Sequence, residues 1–309
     1  LGCAFVSVSG CYTFRRIQTT SLASKGRAAV TGPTPILFAN VSKTFFKHDG
    51  TPFFACRELS FEVKAREIVA IVGETGCGKS TSFNMLLGLQ KPDVGDIQVL
   101  GLDPFSESDA LRGQVGIIFQ SDRLLPWRTT IENISFGLEV LNIPLTQRRQ
   151  TAGKWLERVG LKGFEDAYPH ELSGGMRQRV SIARAFAIEP KILYADEAFT
   201  ALDELTAERI RKDLLELIRE TAITTLFITH SVSEAVDIAQ RVLVFGRPGC
   251  LICEINCEEN RAAGKSTHEI EQLIRQGLRA AHKTMSVEGV VTDEVVRAEG
   301  STSKGREPI

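Results

Sequence analysis

The 309-residue chain has no uninterrupted apolar run of the ~18 residues needed to span a bilayer. Any attachment to a membrane is therefore expected to go through a partner. Charge of neither sign dominates: 37 Lys and Arg against 38 Asp and Glu leave a formal net charge of -1. That is too little for a field that gathers nucleic acid or anionic lipid. Cysteines number seven, an odd count that fits a reduced setting better than a disulfide framework. Cys250, Cys253 and Cys257, in CLICEINC, invite a metal reading. Against it, alternation along a strand puts Cys250 and Cys253 on opposite faces, and no His or fourth Cys lies close by, so small apolar filler is the simpler role. Acidic residues are missing altogether from 1–48. The apolar stretch LGCAFVSVSGC lacks the basic segment that precedes a secretory core, because Arg15 and Arg16 follow it. Residues 1–35 read as a disordered extension or a misplaced start, with an acid-poor organelle presequence as the alternative.

After the break at GPTP (32–35), short apolar runs alternate with amphipathic stretches. ILFANVSKTFF (36–46) and ELSFEVK (58–64) have the look of half-buried strands. EIVAIV (67–72), VGIIFQ (115–120), KILYAD (191–196), TTLFIT (224–229) and RVLVFG (241–246) read as buried ones. A helical pattern over 203–220 and others between the runs predict an α/β fold with a mainly parallel sheet covered on both faces. The stretch 121–172 differs: PWRTTIENISFGLEVL and QRRQTAGKWLERVGL have helical spacing. With the helix that follows, a helical subdomain over about 121–185 is expected inside a domain spanning 36–262. A helix at 267–281 and a mobile polar tail complete the 263–309 segment.

GETGCGKST (73–81) fits G-x-x-x-x-G-K-[ST] between a buried strand and a helix. Backbone N–H groups from Gly73, Glu74, Thr75, Gly76, Cys77, Gly78, Lys79, Ser80 and Thr81 would close around phosphates, aided by the helix N-terminus. Lys79 would reach the β- and γ-phosphates of ATP and Ser80 would hold Mg²⁺. A Gly-rich turn that merely caps a helix is the bland alternative. KILYADEAFTALD ends an apolar strand in Asp196, placed to orient Mg²⁺, and Glu197 follows as a general-base candidate. Adjacent acids standing alone are more often a solvated turn; the buried run feeding them argues otherwise. His230 and Gln120 each end a buried strand, where a structural or capping role competes with contact to phosphate, water or metal. ELSGGMRQR (171–179) adds a second Ser-Gly-Gly turn that opens a basic helix.

Together GETGCGKST, Gln120, LSGGMRQR, YADEAFTALD and His230 resemble, in order and spacing, the ATP-binding cassette (ABC) ATPases over about residues 36–260. The resemblance implies a P-loop ATPase with a mainly parallel core sheet, an N-terminal antiparallel β subdomain and an inserted helical subdomain. In that family two cassettes pack head to tail, so the chain is expected to form a homodimer or to pair with a similar cassette. Ser173, Gly174 and Gly175 would then contact the γ-phosphate held by the partner. Carried over in the same way, Phe45 is similar to the aromatic that stacks on adenine, with Phe46 as fallback. Gln120 resembles the residue that touches Mg²⁺ and water, Glu197 the base, His230 the γ-phosphate sensor and Asp203 the cross-dimer communicator. Ala198 stands where most members have Pro, and Glu74 is a less usual P-loop residue that adds negative charge near the phosphates.

A stand-alone cassette with a short helical subdomain resembles an importer subunit on the cytoplasmic face of the membrane. Its expected partners are transmembrane permease subunits and a periplasmic or lipid-anchored solute-binding protein, and no nucleic acid. RLLPW (123–127) and RPGCLICEI (247–255) resemble the nitrate/sulfonate/taurine importer ATPases. A sulfonate or taurine, nitrate or bicarbonate is the implied solute class. A thiamine-precursor pyrimidine, or a soluble clamp with no permease, are the alternatives. Trp127 is a candidate permease anchor or a core residue of the subdomain itself.

Overall fold

The computed structural model describes residues 34–281. Most of the extension expected over 1–35, and the tail expected beyond 281, lie outside the described residues. The strands are β1 (Ile36–Phe46), β2 (Pro52–Val63), β3 (Ile68–Gly73), β4 (Val94–Val99), β5 (Val115–Ile118), β6 (Ile192–Asp196), β7 (Thr224–Thr229), β8 (Arg241–Gly246) and β9 (Cys250–Asn256). The α-helices are α1 (Lys79–Leu86), α2 (Thr130–Val140), α3 (Leu145–Arg158), α4 (Gly174–Ala187), α5 (Glu204–Thr221), α6 (Val232–Ile238), α7 (Cys257–Ala262) and α8 over 267–281.

Six strands form one sheet in the order β5-β6-β7-β3-β8-β9, parallel except for the antiparallel edge strand β9. Every residue of β3 and β7 is buried, as continuous apolar runs in a sheet covered on both faces require. Alternation along β3 sends Ile68, Ala70 and Val72 to a core shared with α2–α6, and Val69 and Ile71 to a second core. That second core lies toward α1 and a three-stranded antiparallel sheet, β2-β1-β4. Phe38, Phe61, Phe83, Tyr194 and Phe245 fill it. Helices α2, α3 and α4 come between β5 and β6 in sequence, and α3 carries Trp155 against Phe186 of α4.

Three elements differ from the sequence reading. Strand β2 begins at Pro52, not 58, because register shifts against β1 between Phe38 and Thr44 break the period-2 alternation that marks a strand. Strand β4 escapes the pattern because only Ile97 and Val99 are buried; it is a half-solvated edge strand. KSTSFNMLLGLQ (79–90) reads as one helix, but α1 stops at Leu86, and Gly88 turns the chain at φ 69°. The three cysteines of CLICEINC sit on β9 and at the start of α7. Cys253 packs under Gly277 of α8 and Cys257 is buried in the larger core, where burial lifts both thiols to about 11.

Arg241 at the start of β8 ties that strand to β9, to β2 and to the residue ahead of β3. Its guanidinium donates to both Glu67 oxygens (2.8 and 3.0 Å), to Glu254 of β9 (2.8 Å) and to the Glu62 carbonyl of β2 (2.6 Å). Arg241 and Glu67 are only 12% and 15% exposed, so removing one partner leaves a largely buried charge unpaired. Arg241→Leu is expected to lower the unfolding free energy by about 3 kcal/mol in urea titration. A loss below about 0.5 kcal/mol would mean that solvent already screens the cluster.

Candidate functional site

A parallel sheet brings the C-terminal ends of its strands to one edge. Val72 pairs with Thr229, Asp196 with Ile228 and Ile118 with Ala195, so β3, β7, β6 and β5 all end within about one residue of a common line. The Gly73–Thr81 loop, His230, the Asp196-Glu197 pair and Gln120 leave from that line. Sequence separations of up to 157 residues thus collapse into one site, the distance from Gly73 to His230 along the chain.

The loop after β3 wraps its own lysine. The Lys79 ammonium, on a side chain of a residue only 7% exposed, donates to the carbonyls of Gly73 (2.6 Å) and Glu74 (2.9 Å). Gly76 and Gly78 sit at φ 79° and 88°, a region where a Cβ is strained. At Gly78 a Cβ would also collide with the Ala55 carbonyl and approach Gly249 Cα to 3.0 Å. Helix α1 starts from Gly78 with no side-chain cap and no acid in its first turn, leaving its first N–H groups and its dipole for an anion. A cleft of about 180 Å³ opens here, lined by the 75–81 segment, by Glu197, and by Phe53 and Ala55 from β2. Backbone N–H groups, an ammonium and the exposed Ser80 hydroxyl form a donor set that fits a polyphosphate, and the nearby carboxylates with that hydroxyl fit a divalent cation.

Asp196 is partly buried at the end of β6, and burial raises its carboxyl above the usual carboxylate range. The Glu197 charge adds to that rise, while Lys79 and Arg123 oppose it. Glu197 adopts φ 46°, a left-handed conformation for a residue with a Cβ. Three contacts hold the turn in that state. The Glu197 N–H donates to the Ile228 carbonyl (2.8 Å), the Thr200 N–H to the Glu197 carbonyl (3.2 Å), and the buried Gln178 amide to the Ala198 carbonyl (2.7 Å). His230 Nδ1 lies 3.5 Å from Glu197 Oε1. Behind it, Glu234 of α6 accepts from the Thr229 hydroxyl, and burial raises its carboxyl. Gln120 is exposed just past β5.

Ser173 caps α4, its hydroxyl accepting from the Met176 N–H (3.3 Å), and α4 too has no acid in its first turn. Ser173, Gly174 and Gly175 do not line the cleft beside Lys79, so the structure does not bring the two Gly-rich turns together within the chain. The same helix holds the Gln120 loop. Arg177 Nε pairs with Asp122 (2.9 Å), and Arg184 donates to the Asp122 and Arg123 carbonyls (both 2.7 Å). Asp203 caps α5 by accepting from the Thr206 N–H (3.0 Å), and hydrogen bonding there holds its carboxyl below the usual range.

Sequence alone leaves two aromatic candidates open and gives no sign of a third, Phe53. Phe45 pairs with Phe53 across β1 and β2, whereas Phe46 pairs with Pro52. Directly opposed residues share a face, so Phe45 lies on the side of Phe53, which lines the cleft; Phe46 lies on the other side and is 73% exposed. Phe53 itself was hidden because β2 was expected to start after it. Gln178 and the link from Arg247 to the Thr75 carbonyl were also missed. Both are long-range contacts that leave no periodic signal.

A family model described as ABC transporter matches residues 56–200. The taurine import ATP-binding protein TauB of Yersinia pestis is 39% identical over 235 residues, 75% of this chain and 90% of that protein. A probable sulfate/thiosulfate import ATP-binding protein, CysA, of Chlorella vulgaris is 39% identical over 209 residues, 68% of this chain and 86% of that protein. Among solved structures, a dimeric ATP-binding cassette in a post-hydrolysis state, bound to ADP and Pi, matches with a TM-score of 0.64 at 30% identity. That match covers 72% of this chain and 98% of the other. With the P-loop, the Asp-Glu pair and the Ser-Gly-Gly helix placed as described, the chain belongs to the ATP-binding proteins of the ABC transporter family and is an ATPase.

Proposed function

We propose that the chain energises the import of a small anion, working as a pair of cassettes that closes around two ATP molecules. One observation carries the pairing: two helix ends, those of α1 and α4, are prepared for phosphate, and only the first lines the cleft beside Glu197. The end of α4 is then left for the nucleotide of a second copy or of a similar cassette. Ser173, Gly174 and Gly175 supply its donors, and Asp203 at the neighbouring α5 cap reports across the interface.

Within one chain the roles divide by position. Lys79 and the 73–81 N–H groups bind the β- and γ-phosphates, and Phe45, beside Phe53, supplies the face for adenine. Ser80, Asp196 and Gln120 would hold Mg²⁺, which would supply positive charge to offset that of the phosphate oxygens. Glu197 takes the proton of the attacking water, and His230, 3.5 Å away, is positioned to contact the γ-phosphate. Three backbone contacts set the geometry of the turn from which the base projects.

The likeness to taurine and sulfate import proteins, together with the RLLPW and RPG segments, supports an anionic solute. A sulfonate such as taurine leads, ahead of nitrate or bicarbonate. Trp127, 71% exposed ahead of α2, is the anchor for a permease subunit on the cytoplasmic face of the membrane, and a solute-binding protein delivers the anion on the far side.

Glu197→Gln is expected to lower kcat by roughly 10²–10⁴-fold, the range for loss of a general base, while ATP-dependent dimers persist in gel filtration. Turnover near that of the parent would remove Glu197 from the role. Purification of the tagged chain from its native membranes in mild detergent should recover a multi-span permease. Trp127→Ala should cut that recovery about tenfold, as truncation of an interface aromatic typically does. Soluble partners alone, despite ATP-dependent dimerisation, would point instead to a clamp that works without a permease.

A further inference from the structure

The turn between β8 and β9, Arg247-Pro248-Gly249, is built into the nucleotide seat although none of the nucleotide-binding motifs includes it. Gly249 donates its N–H to the Ala55 carbonyl (2.9 Å) and accepts from the Arg57 N–H (3.1 Å), joining the turn to β2. A Cβ at Gly249 would meet the Cys56 sulfur at 2.9 Å, and one at Gly78 would come within 3.0 Å of Gly249 Cα. Three backbones, those of β2, the P-loop and this turn, therefore meet with room for glycine only. The turn is fixed at the loop and does not swing over it.

From that fixed base Arg247 reaches the outer curve of the P-loop. Its guanidinium donates to the Thr75 carbonyl, and Nη2 and Cζ lie 3.2 and 3.5 Å from where a Cβ of Gly76 would stand. The side chain is otherwise exposed. Burial lifts the Cys77 thiol, and the charges of Lys79 and Arg247 both work against that rise, which places both cations within electrostatic reach of the loop interior. Glu74 in the same loop contributes a carboxylate that disfavours a polyphosphate.

We propose that Arg247 is the second cation of this phosphate seat: it pins the Thr75–Gly76 turn and adds positive charge that favours a nucleoside polyphosphate. It is a positioning residue, acting through the loop and its field, and transfers no proton. The assignment rests on the ATP seat alone and is independent of which solute is carried or whether a permease is present.

The test is ATP and ADP binding to the full chain by titration calorimetry, across a series of salt concentrations, for the parent and for Arg247→Lys, Arg247→Gln and Arg247→Met. Arg247→Met should raise Kd for both nucleotides about tenfold, with kcat at saturating ATP within about twofold, since uniform binding is what is lost. Arg247→Lys keeps the charge and should stay within about threefold of the parent. Arg247→Gln keeps donors without charge, so it should bind at least threefold more weakly than Arg247→Lys and show a flatter dependence of Kd on salt. A residue that serves only folding would lower Tm and leave Kd and its salt dependence unchanged in the folded fraction. Equal Kd values for the Lys and Gln variants would overturn the proposal, even if Arg247→Met does not fold. Loss of turnover without a change in Kd would also overturn it, and is the outcome that a fault in the catalytic turn at Glu197 would give.

Discussion

Val72 lies opposite Thr229, and Asp196 opposite Ile228, in a sheet whose inner strands all point the same way. That register is the constraint on which the site depends. Because the period along a strand is two, a slip of one residue between β6 and β7 would exchange the faces of Leu193 and Tyr194, and with them the two cores. It would also move Asp196 and Glu197 by a residue length relative to the P-loop. The apolar residues of β3, β6 and β7 therefore do two jobs at once. They stabilise the fold by burial, and through their register they fix where the charged groups emerge.

The charged groups themselves work against the fold. Asp196 is partly buried beside Glu197, and Glu197 takes a backbone conformation that disfavours any side chain. Such an arrangement persists only where its surroundings over-determine it, and here they do. Lys79 and Arg123 offset the negative charge, the Ile228 carbonyl holds the Glu197 N–H, and Gln178 holds the next carbonyl. Gln178 lies on α4, the same helix whose Arg177 and Arg184 grip the loop after Gln120. One helix thus connects the Ser-Gly-Gly turn to the Glu197 turn, through Gln178, and to the loop after Gln120, through Arg177 and Arg184.

What the sequence made legible follows from contact order. The P-loop, the Asp-Glu pair and the Ser-Gly-Gly turn are contiguous, so their chemistry is written in neighbouring letters, and buried parallel strands announce themselves as apolar runs. The family itself was legible for the same reason. Phe53 was not, because register shifts between Phe54 and Phe61 break alternation along β2 and separate its first residues from the apolar pattern at 58–64. Neither was the choice between Phe45 and Phe46, which depends on the cross-strand partner of each. Trp127 had two open readings because a large aromatic beside a helical pattern suits a core or an interface equally; its exposure selects the surface. Arg247 lies 172 residues from Thr75, and no local pattern reports a contact across that interval.

Helix capping gives these observations a common logic. Helix α2 has Glu132 in its first turn, α5 has Glu204 behind the Asp203 cap, α6 has Glu234 and α7 has Glu258 and Glu259, each meeting the positive end of its helix dipole with its own chain. Helices α1 and α4 do not. Helix α1 begins at a glycine with nothing to accept its N–H groups, and α4 has a single serine cap and two glycines. An acid in either first turn would occupy the donors and repel a phosphate. Those positive ends are thus compensated only when an anion arrives, and the chain places one of them inside its cleft and the other outside it. Of the described helices, α3 also lacks a first-turn acid, but it starts from Pro144-Leu145 with no glycine to let a ligand approach its backbone. An open helix end suits a phosphate only where glycine strips the turn bare, and among the described helices α1 and α4 meet that condition.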